Sequence, residues 1–262
     1  KIIYFGYIQA NDGKVNAMIP LKDSAKRKYM LAFGDEIYTI GYIAEGEKPA
    51  LVSEAKTALN EGNMESFLTE NAVYLCDAKM YGVLSNPTKA SNFVLELLKD
   101  ATLTEDEASV EKLGNAIDTA VLIQALNEGY AVDFEDVRNK TAGVPMEIPL
   151  SEAKIASDKL PQVVQKMLRK EFTTVAEYGE VLSESIFIGV INDSEGLSSA
   201  DKRAFFNTYA EKVGLNLTKY NNLTSNEKTT VITKLAAKDA ETISDMQTEL
   251  DALCNDISSG TP

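Results

Sequence analysis

The chain contains no histidine. Histidine is the commonest general base and the commonest nitrogen ligand for metals, so its absence removes Ser-His-Asp and Cys-His arrangements and the usual zinc hydrolase sites. Tryptophan is absent as well, which leaves any sugar-stacking surface to tyrosine and phenylalanine. Cysteine occurs only twice, at Cys76 and Cys254, without CxxC or CxxH spacing; no local metal knuckle can form from them. Both lie in helical apolar patterns and are expected as buried thiols, and a disulfide between them would need a proximity that spacing does not supply. The longest apolar runs, Ala120-Val121-Leu122-Ile123 and Ile186-Phe187-Ile188-Gly189-Val190-Ile191, fall far short of the roughly 20 residues that span a bilayer. Positive charge is scarce: 26 Lys and Arg stand against 40 Asp and Glu, a net charge of −14. That balance repels phosphates, and no basic stripe overcomes it, so nucleic acid is excluded as a partner. GxxxxGK[ST], GxGxxG and GxSxG are missing too, and with them any support for a phosphate cradle or a nucleophile elbow.

What is present suits a folded chain. At 262 residues and 44% hydrophobic content it can bury one large core or two ordinary ones. Residues 1–46 hold six Lys and Arg against five Asp and Glu, so nearly all the excess negative charge belongs to the remainder, and the break marks a domain boundary. The expected organisation is a β-rich segment at 1–46, a helical region at 47–145 and a helical repeat region at 146–262. Lys1 is preceded by no initiator methionine or signal peptide, which predicts a processed product or a segment of a larger protein.

Residues 1–43 read as strands. Lys1 to Ile8 is rich in aromatic and β-branched residues, Asn11-Asp12-Gly13 is a turn signal, and Val15 to Ile19 alternates; Tyr29 to Phe33 and Ile37 to Ile43 follow across Gly34-Asp35. The pattern predicts a four-stranded antiparallel meander, either capped by helices or closing a β-sandwich. Beyond Gly46 the 3.6-residue period takes over. Helices are expected at 49–60, 64–81, 88–100, 104–128 with Gly114 as a candidate break, 133–141, 151–170, 174–192, 199–213, 225–237 and 241–257. Gly62, Gly82, Gly129, Gly143 and Gly214 stand where helix ends need them. Three starts, at Thr104, Ser198 and Thr224, place a hydroxyl three residues before an acid, as a capping box does; Ser151 begins a fourth without that acid. The fold class is therefore α+β, predominantly α: an N-terminal antiparallel β meander followed by an array of helical hairpins.

The last third repeats itself. Val164 to Glu171, continued by Val175, Tyr178 and Leu182, matches Ile232 to Asp239, continued by Ile243, Met246 and Leu250. The same helix, turn and helix is written twice, with Val213 to Thr224 as a short connecting turn. Stacked helical pairs bury their apolar faces against their neighbours and serve as spacers, scaffolds or binding surfaces.

Carboxylates are the remaining candidates for chemistry. Glu177, Glu180 and Glu184 share one side of a helix, and Glu105, Asp106 and Glu107 cluster at a helix start. A glycoside hydrolase needs two carboxyl groups at a defined separation, which this spacing does not provide. The loop Asn192-Asp193-Ser194-Glu195-Gly196 is rich in oxygen but lacks the ligand register and closing glutamate of an EF-hand, and reads as a plain turn. Sequons at Asn139, Asn216 and Asn222 occur at the rate chance gives. No catalytic, cofactor-binding or metal-ligating residue is assigned.

The stretch from Val213 through Leu217-Thr218-Lys219-Tyr220-Asn221-Asn222-Leu223-Thr224 to Lys228, Val231 and Leu235, with Ile243, Met246 and Leu250, resembles helical repeat segments of large Gram-positive cell-surface and S-layer-associated proteins. Residues 1–43 are similar in texture to the closing strands of the bacterial Ig-like or fibronectin-type modules that accompany such segments. The resemblance implies an extracellular location on the bacterial cell surface and a non-enzymatic structural or adhesive role as spacer or scaffold. Its expected partner is another protein, a cell-wall component or a second copy of the chain. Two other classes fit the same residues: a virion or extracellular filament protein assembling through subunit contacts, and a carboxylate-based polysaccharide hydrolase.

Overall fold

Lys26 to Phe33 (β1) and Glu36 to Ile43 (β2) pair as an antiparallel hairpin, in register from Lys26 opposite Ile43 to Phe33 opposite Glu36. These are two of the four expected strands. The other two, at 1–8 and 15–19, lie outside the residues described by the computed structural model, which are 26–33, 36–75, 84–193 and 196–259. The hairpin docks through Gly41, where any Cβ would collide with the Val73 carbonyl oxygen and the Tyr74 ring. Lys26 secures the same contact: its ammonium lies 5.1 Å from the centre of the Tyr74 ring and 3.8 Å from the Glu54 carboxylate. The expected helical cap on the sheet is thus supplied by the turn Ala72–Tyr74.

The rest of the described chain is helical and connected by turns, which makes the protein α+β and mostly α. The eleven helices among the described residues are α1 (Lys48–Glu61), α2 (Met64–Asn71), α3 (Ala90–Leu98), α4 (Glu107–Glu128), α5 (Phe134–Asn139), α6 (Leu160–Gln165), α7 (Val175–Asn192), α8 (Ser199–Tyr209), α9 (Thr218–Asn221), α10 (Ser225–Ala236) and α11 (Ile243–Ser258). Local chemistry sets most of these bounds. Pro49 stands in the first turn of α1, where its missing N–H costs nothing, and Gly62 ends that helix at φ 72°. Ser198 and Thr224 accept the N–H groups of Asp201 and Glu227, as the sequence predicts. Gly114 does not break α4, which runs through it.

Three expectations are corrected. The helix expected over 151–170 is a 3-10 turn at Leu150–Glu152 and the short α6. Pro161 opens α6 and disfavours helix in the residue before it, while the Ala156 N–H is taken by the Asp193 carboxylate at 2.6 Å. The cap of α4 is Asp106, accepting from the Ser109 N–H, rather than Thr104; the Thr104 hydroxyl instead donates to Asp106. The turn expected over 213–224 contains the one-turn helix α9.

Two helices carry the core. Every residue of α4 from Thr119 to Leu126 is buried, and α7 buries Leu182, Ser183, Ser185, Ile186, Phe187, Ile188, Val190 and Ile191. The sequence pattern of α7 suggests one apolar face, but its second half is buried all round because α6, α8, α10 and α11 pack against it. A helix apolar on all sides stays folded only inside such a sheath. Helices α1 and α3 pack on α4, and α3 also touches α7. There Glu96 of α3 accepts the Val175 N–H at 2.7 Å, placing a carboxylate on the positive end of α7. One hydrophobic cluster therefore runs from Val52 to Cys254. At roughly 1.5–3 kcal/mol for each fully buried large side chain, it is the main source of stability. No helix among the described residues is long and apolar enough to cross a membrane.

Candidate functional site

The two written copies share their buried positions and their second-helix caps, although the first helix is six residues long in one (α6) and twelve in the other (α10). Val163, Val164 and Met167 are buried, as are Val231, Ile232 and Leu235. Glu171 and Asp239, each followed by a buried residue, both take left-handed backbone, with φ of 57° and 51°. Thr174 with Glu177, and Thr242 with Asp245, then form complete capping boxes. Asp106, Thr174 and Thr242 cap α4, α7 and α11 in turn, with 68 residues between successive caps.

At the ends of the two central helices the copies differ: an asparagine reaches the turn in each, but from different repeat positions, since Gln124 and not Asn127 stands 68 residues before Asn192. Near the end of α4, the Asn127 carboxamide accepts the Phe172 N–H at 2.7 Å and donates to the Phe172 carbonyl at 2.9 Å. It thereby pairs with the turn as a strand would. The Phe172 ring is seated edge-on to Tyr178, with centroids 5.5 Å apart. At the end of α7, Asn192 donates to the Ala240 carbonyl at 2.8 Å and to the Asp239 carboxylate at 3.3 Å. Its own Oδ1 is buried without a partner. The second junction thus carries a methyl group where the first carries a phenyl ring, and one hydrogen bond to the main chain where the first has two.

A cleft of about 570 Å³ opens at this second junction. Its walls are α6, the second half of α7 and the turn at 239–241. Val163, Ile188, Gly189 and Ala240 supply apolar surface, with Ser185 and Asn192 on the same face of α7. Ser185 is only 2% exposed. Gln162, Gln165, Asp239 and Glu241 stand at the rim and are exposed. Lys166 crosses the cleft to the Glu241 carbonyl at 2.7 Å.

Asp193 closes one end of the cleft. Its side chain is fully buried, with Oδ1 3.1 Å from the Lys159 ammonium and Oδ2 2.6 Å from the Ala156 nitrogen. Its main-chain carbonyl accepts from Lys202, a lysine only 5% exposed. Burial pushes the Lys202 ammonium below the usual lysine range; the Asp193 carboxylate opposes that shift and the Lys159 charge adds to it. In the oxygen-rich loop at 192–196, then, Asn192 and Asp193 turn inward to bind the protein itself, while residues 194–195 lie outside the described ones. Among the described residues no group of three or more acidic or sulfur ligands is placed to hold a metal ion.

The other candidate carboxylates are not brought together. The Glu177 carboxylate is lowered by hydrogen bonds from the backbone and hydroxyl of Thr173, with Thr174 adding to them. Asp106 is lowered by its bonds from Thr104 and Ser109. Glu184 is raised, first by burial and then by the Glu180 charge one turn away. Asn139 donates to Glu135, and the Asn216 carboxamide accepts the Thr218 N–H. Cys254 is buried and free, its thiol pushed up chiefly by burial; Cys76 lies outside the described residues. Sequence reasoning missed Ser185, Asn192 and Ala240 because a serine, an asparagine and an alanine carry no distinctive spacing. The signal that could have found them was the repeat itself, extended back to α4 and compared position by position.

No protein-family model, no curated protein and no solved structure matches the chain.

Proposed function

We propose that the chain is a non-enzymatic structural or adhesive segment of a larger bacterial cell-surface protein, working outside the cell as a spacer and interaction scaffold. The observation that carries this reading is the use to which its polar side chains are put. Asp106, Glu177 and Glu227 cap helices, Glu128 and Asp193 anchor loops, and Asn127 holds a turn. Groups spent in this way are held by structure and are poorly placed for proton transfer, which needs a reactive group free to meet a substrate. The tandem hairpins around shared central helices add to it, since such arrays present surface at low sequence cost. The resemblance of residues 213–250 to Gram-positive surface repeats supplies the location.

The test is to incubate the purified chain with washed Gram-positive cell walls, sediment them, and follow both the bound protein and the soluble sugar. Co-sedimentation without release of reducing ends is the expected result. Release of reducing ends would overturn the non-enzymatic reading. Mass that grows on concentration in light scattering would instead favour a filament protein.

A further inference from the structure

We propose that Met30 of β1 and a crevice beside α3 and α4 are the two halves of a contact between copies of this chain, the methionine of one copy seating in the crevice of the next. Met30 is the only large apolar side chain among the described residues that stands exposed, at 72%. Covering such a side chain releases the water around it and favours association. Side chains alternate along a strand, so Lys26, Lys28 and Ala32 share its face, and Thr39 is its cross-strand neighbour. Lys26 and Lys28 lie 5.1 and 6.0 Å from the centre of the Tyr74 ring, which holds this face to the body at one end, with Met30 further along. Arg27 and Lys28 are exposed, and β1 contains three basic residues and no acid. The knob is thus an unbranched apolar side chain set in a basic strand.

The crevice has the opposite charge. It measures about 260 Å³, and Leu97 and Leu98 of α3 with Ala108 and Ala116 of α4 make its walls apolar. Glu111 stands at its rim, one turn after Glu107. Residues 100–111 hold five acids, Asp100, Glu105, Asp106, Glu107 and Glu111, and no base; all five are exposed. Lys112 also lines the crevice, but its ammonium turns back to the Thr102 carbonyl at 3.3 Å. The volume lies below the roughly 300–1,000 Å³ of small-molecule sites and suits one long side chain. Methionine, flexible and unbranched, is the residue that fills irregular gaps of this kind.

Charge commits the crevice to a second copy. A basic knob and an acidic socket carried by one chain are complementary to each other, which steers encounter and fixes orientation. The hairpin docks on the Ala72–Tyr74 turn, whereas the crevice is framed by α3, α4 and the 142–143 turn. Neighbours therefore meet through two different surfaces, and such a contact propagates head to tail. One side chain and a few exposed charges cover less than the roughly 1,000 Å² of a stable interface. A single contact is weak, with Kd on the order of 1 mM, and counts where many copies are held close together. It needs no cell surface to form, although crowding on one would strengthen it.

The experiment follows the full chain, its methionine methyl groups labelled with carbon-13, from about 20 μM to about 2 mM in about 0.15 M salt, where overall repulsion is screened beyond roughly 8 Å. A mass in light scattering that rises with concentration, and a Met30 methyl signal that moves with it, are expected. Met30→Ser and Glu111→Lys each alter an exposed residue and should weaken association at least about fivefold. Adding unlabelled Met30→Ser chain, whose crevice is intact, to labelled Glu111→Lys chain should restore the Met30 shift. A parent chain that stays monomeric at the highest concentration, or variants that associate as the parent does, would overturn the proposal. A Met30 signal that moves only when washed cell walls are added would overturn it too, and assign the knob to a wall partner. Assembly complete at about 20 μM and lost in both variants would leave the contact standing while sinking the spacer reading in favour of a filament, whereas a monomeric chain that still sediments with cell walls would do the reverse.

Discussion

Asn127 and Asn192 stand near the C-terminal ends of α4 and α7, and each reaches the turn that leads into the next helix of the array. The first binds both the N–H and the carbonyl of Phe172, at 2.7 and 2.9 Å. The second binds only the Ala240 carbonyl and the Asp239 carboxylate, and its Oδ1 is left over. Around them the first junction is filled by an aromatic pair and the second opens into a cleft. Two junctions of one repeat need not be built alike: one can be specialised for cohesion, which leaves the other free to keep surface open. The capping boxes and the left-handed backbone at Glu171 and Asp239 are shared by both copies, so the difference rests on side-chain volume, on one hydrogen bond, and on Arg169, which is left-handed where its counterpart Ala237 is helical.

The largest expected effect comes from giving the first junction the second's residue. Phe172→Ala should cost about 3 kcal/mol in urea unfolding, the range for removing a buried phenyl group; a loss below about 1 kcal/mol would mean that the ring contributes little cohesion. Next in size is the asparagine pair. Asn127→Ala strands the Phe172 N–H and carbonyl together and should cost about 2 kcal/mol, against about 1 kcal/mol for Asn192→Ala, whose partner is a single carbonyl. Equal losses in the same unfolding series would erase the contrast between the junctions.

A third effect lies beside Asn127. Glu128 accepts from the Ser85 and Asn86 N–H groups at 2.6 and 3.0 Å and from Gln124 at 2.7 Å. Burial works to raise its carboxyl, but these bonds prevail and hold it below the usual glutamate range. A carboxyl depressed in the folded state contributes stability that is present above its unfolded pKa, about 4.3, and is lost as pH falls through the lower folded value. Glu128→Gln should therefore cost about 1 kcal/mol at pH 7 and make the acid limb of a stability profile shallower below about pH 4. A variant whose profile overlays the parent's would show that Glu128 does not anchor residues 85–86. The smallest effect distinguishes two of the left-handed residues, Glu171 and Asp239. Glu171→Gly should stabilise by about 0.5 kcal/mol, relief of left-handed strain outweighing the entropy of glycine. Asp239→Gly should be nearly neutral in thermal unfolding, since aspartate tolerates this backbone and its carboxylate accepts from Asn192.

What could be read from the sequence was short in range. The bounds of α1, α7, α10 and α11, the αL ends at Gly62, Gly129 and Gly214, and the caps at Ser198 and Thr224 each depend on residues within about a turn of one another. Such features are legible because propensity, capping and left-handed backbone are local energies. The helix expected over 151–170 failed where a distant residue intervened: Asp193 takes the Ala156 N–H, and Pro161 permits only a late start. The apparent single apolar face of α7 failed for a related reason, since partners on every side allowed Ser183 and Ser185 to be buried along with the aliphatic residues.

By itself, then, the sequence determined the class of the protein, the periods of its helices, their punctuation and the fact of internal repetition. Only the tertiary structure decided which helices lie at the centre, where Gly41 and Gly179 let backbone approach backbone, and which of two like junctions closes. At Gly179 any Cβ would collide with the Pro145 carbonyl oxygen, a constraint set by a residue 34 positions away. Contacts of that kind are sums over groups far apart in the chain. Asn127 and Asn192 look alike in sequence and part ways only when the ring of Phe172 or the methyl of Ala240 is set beside them.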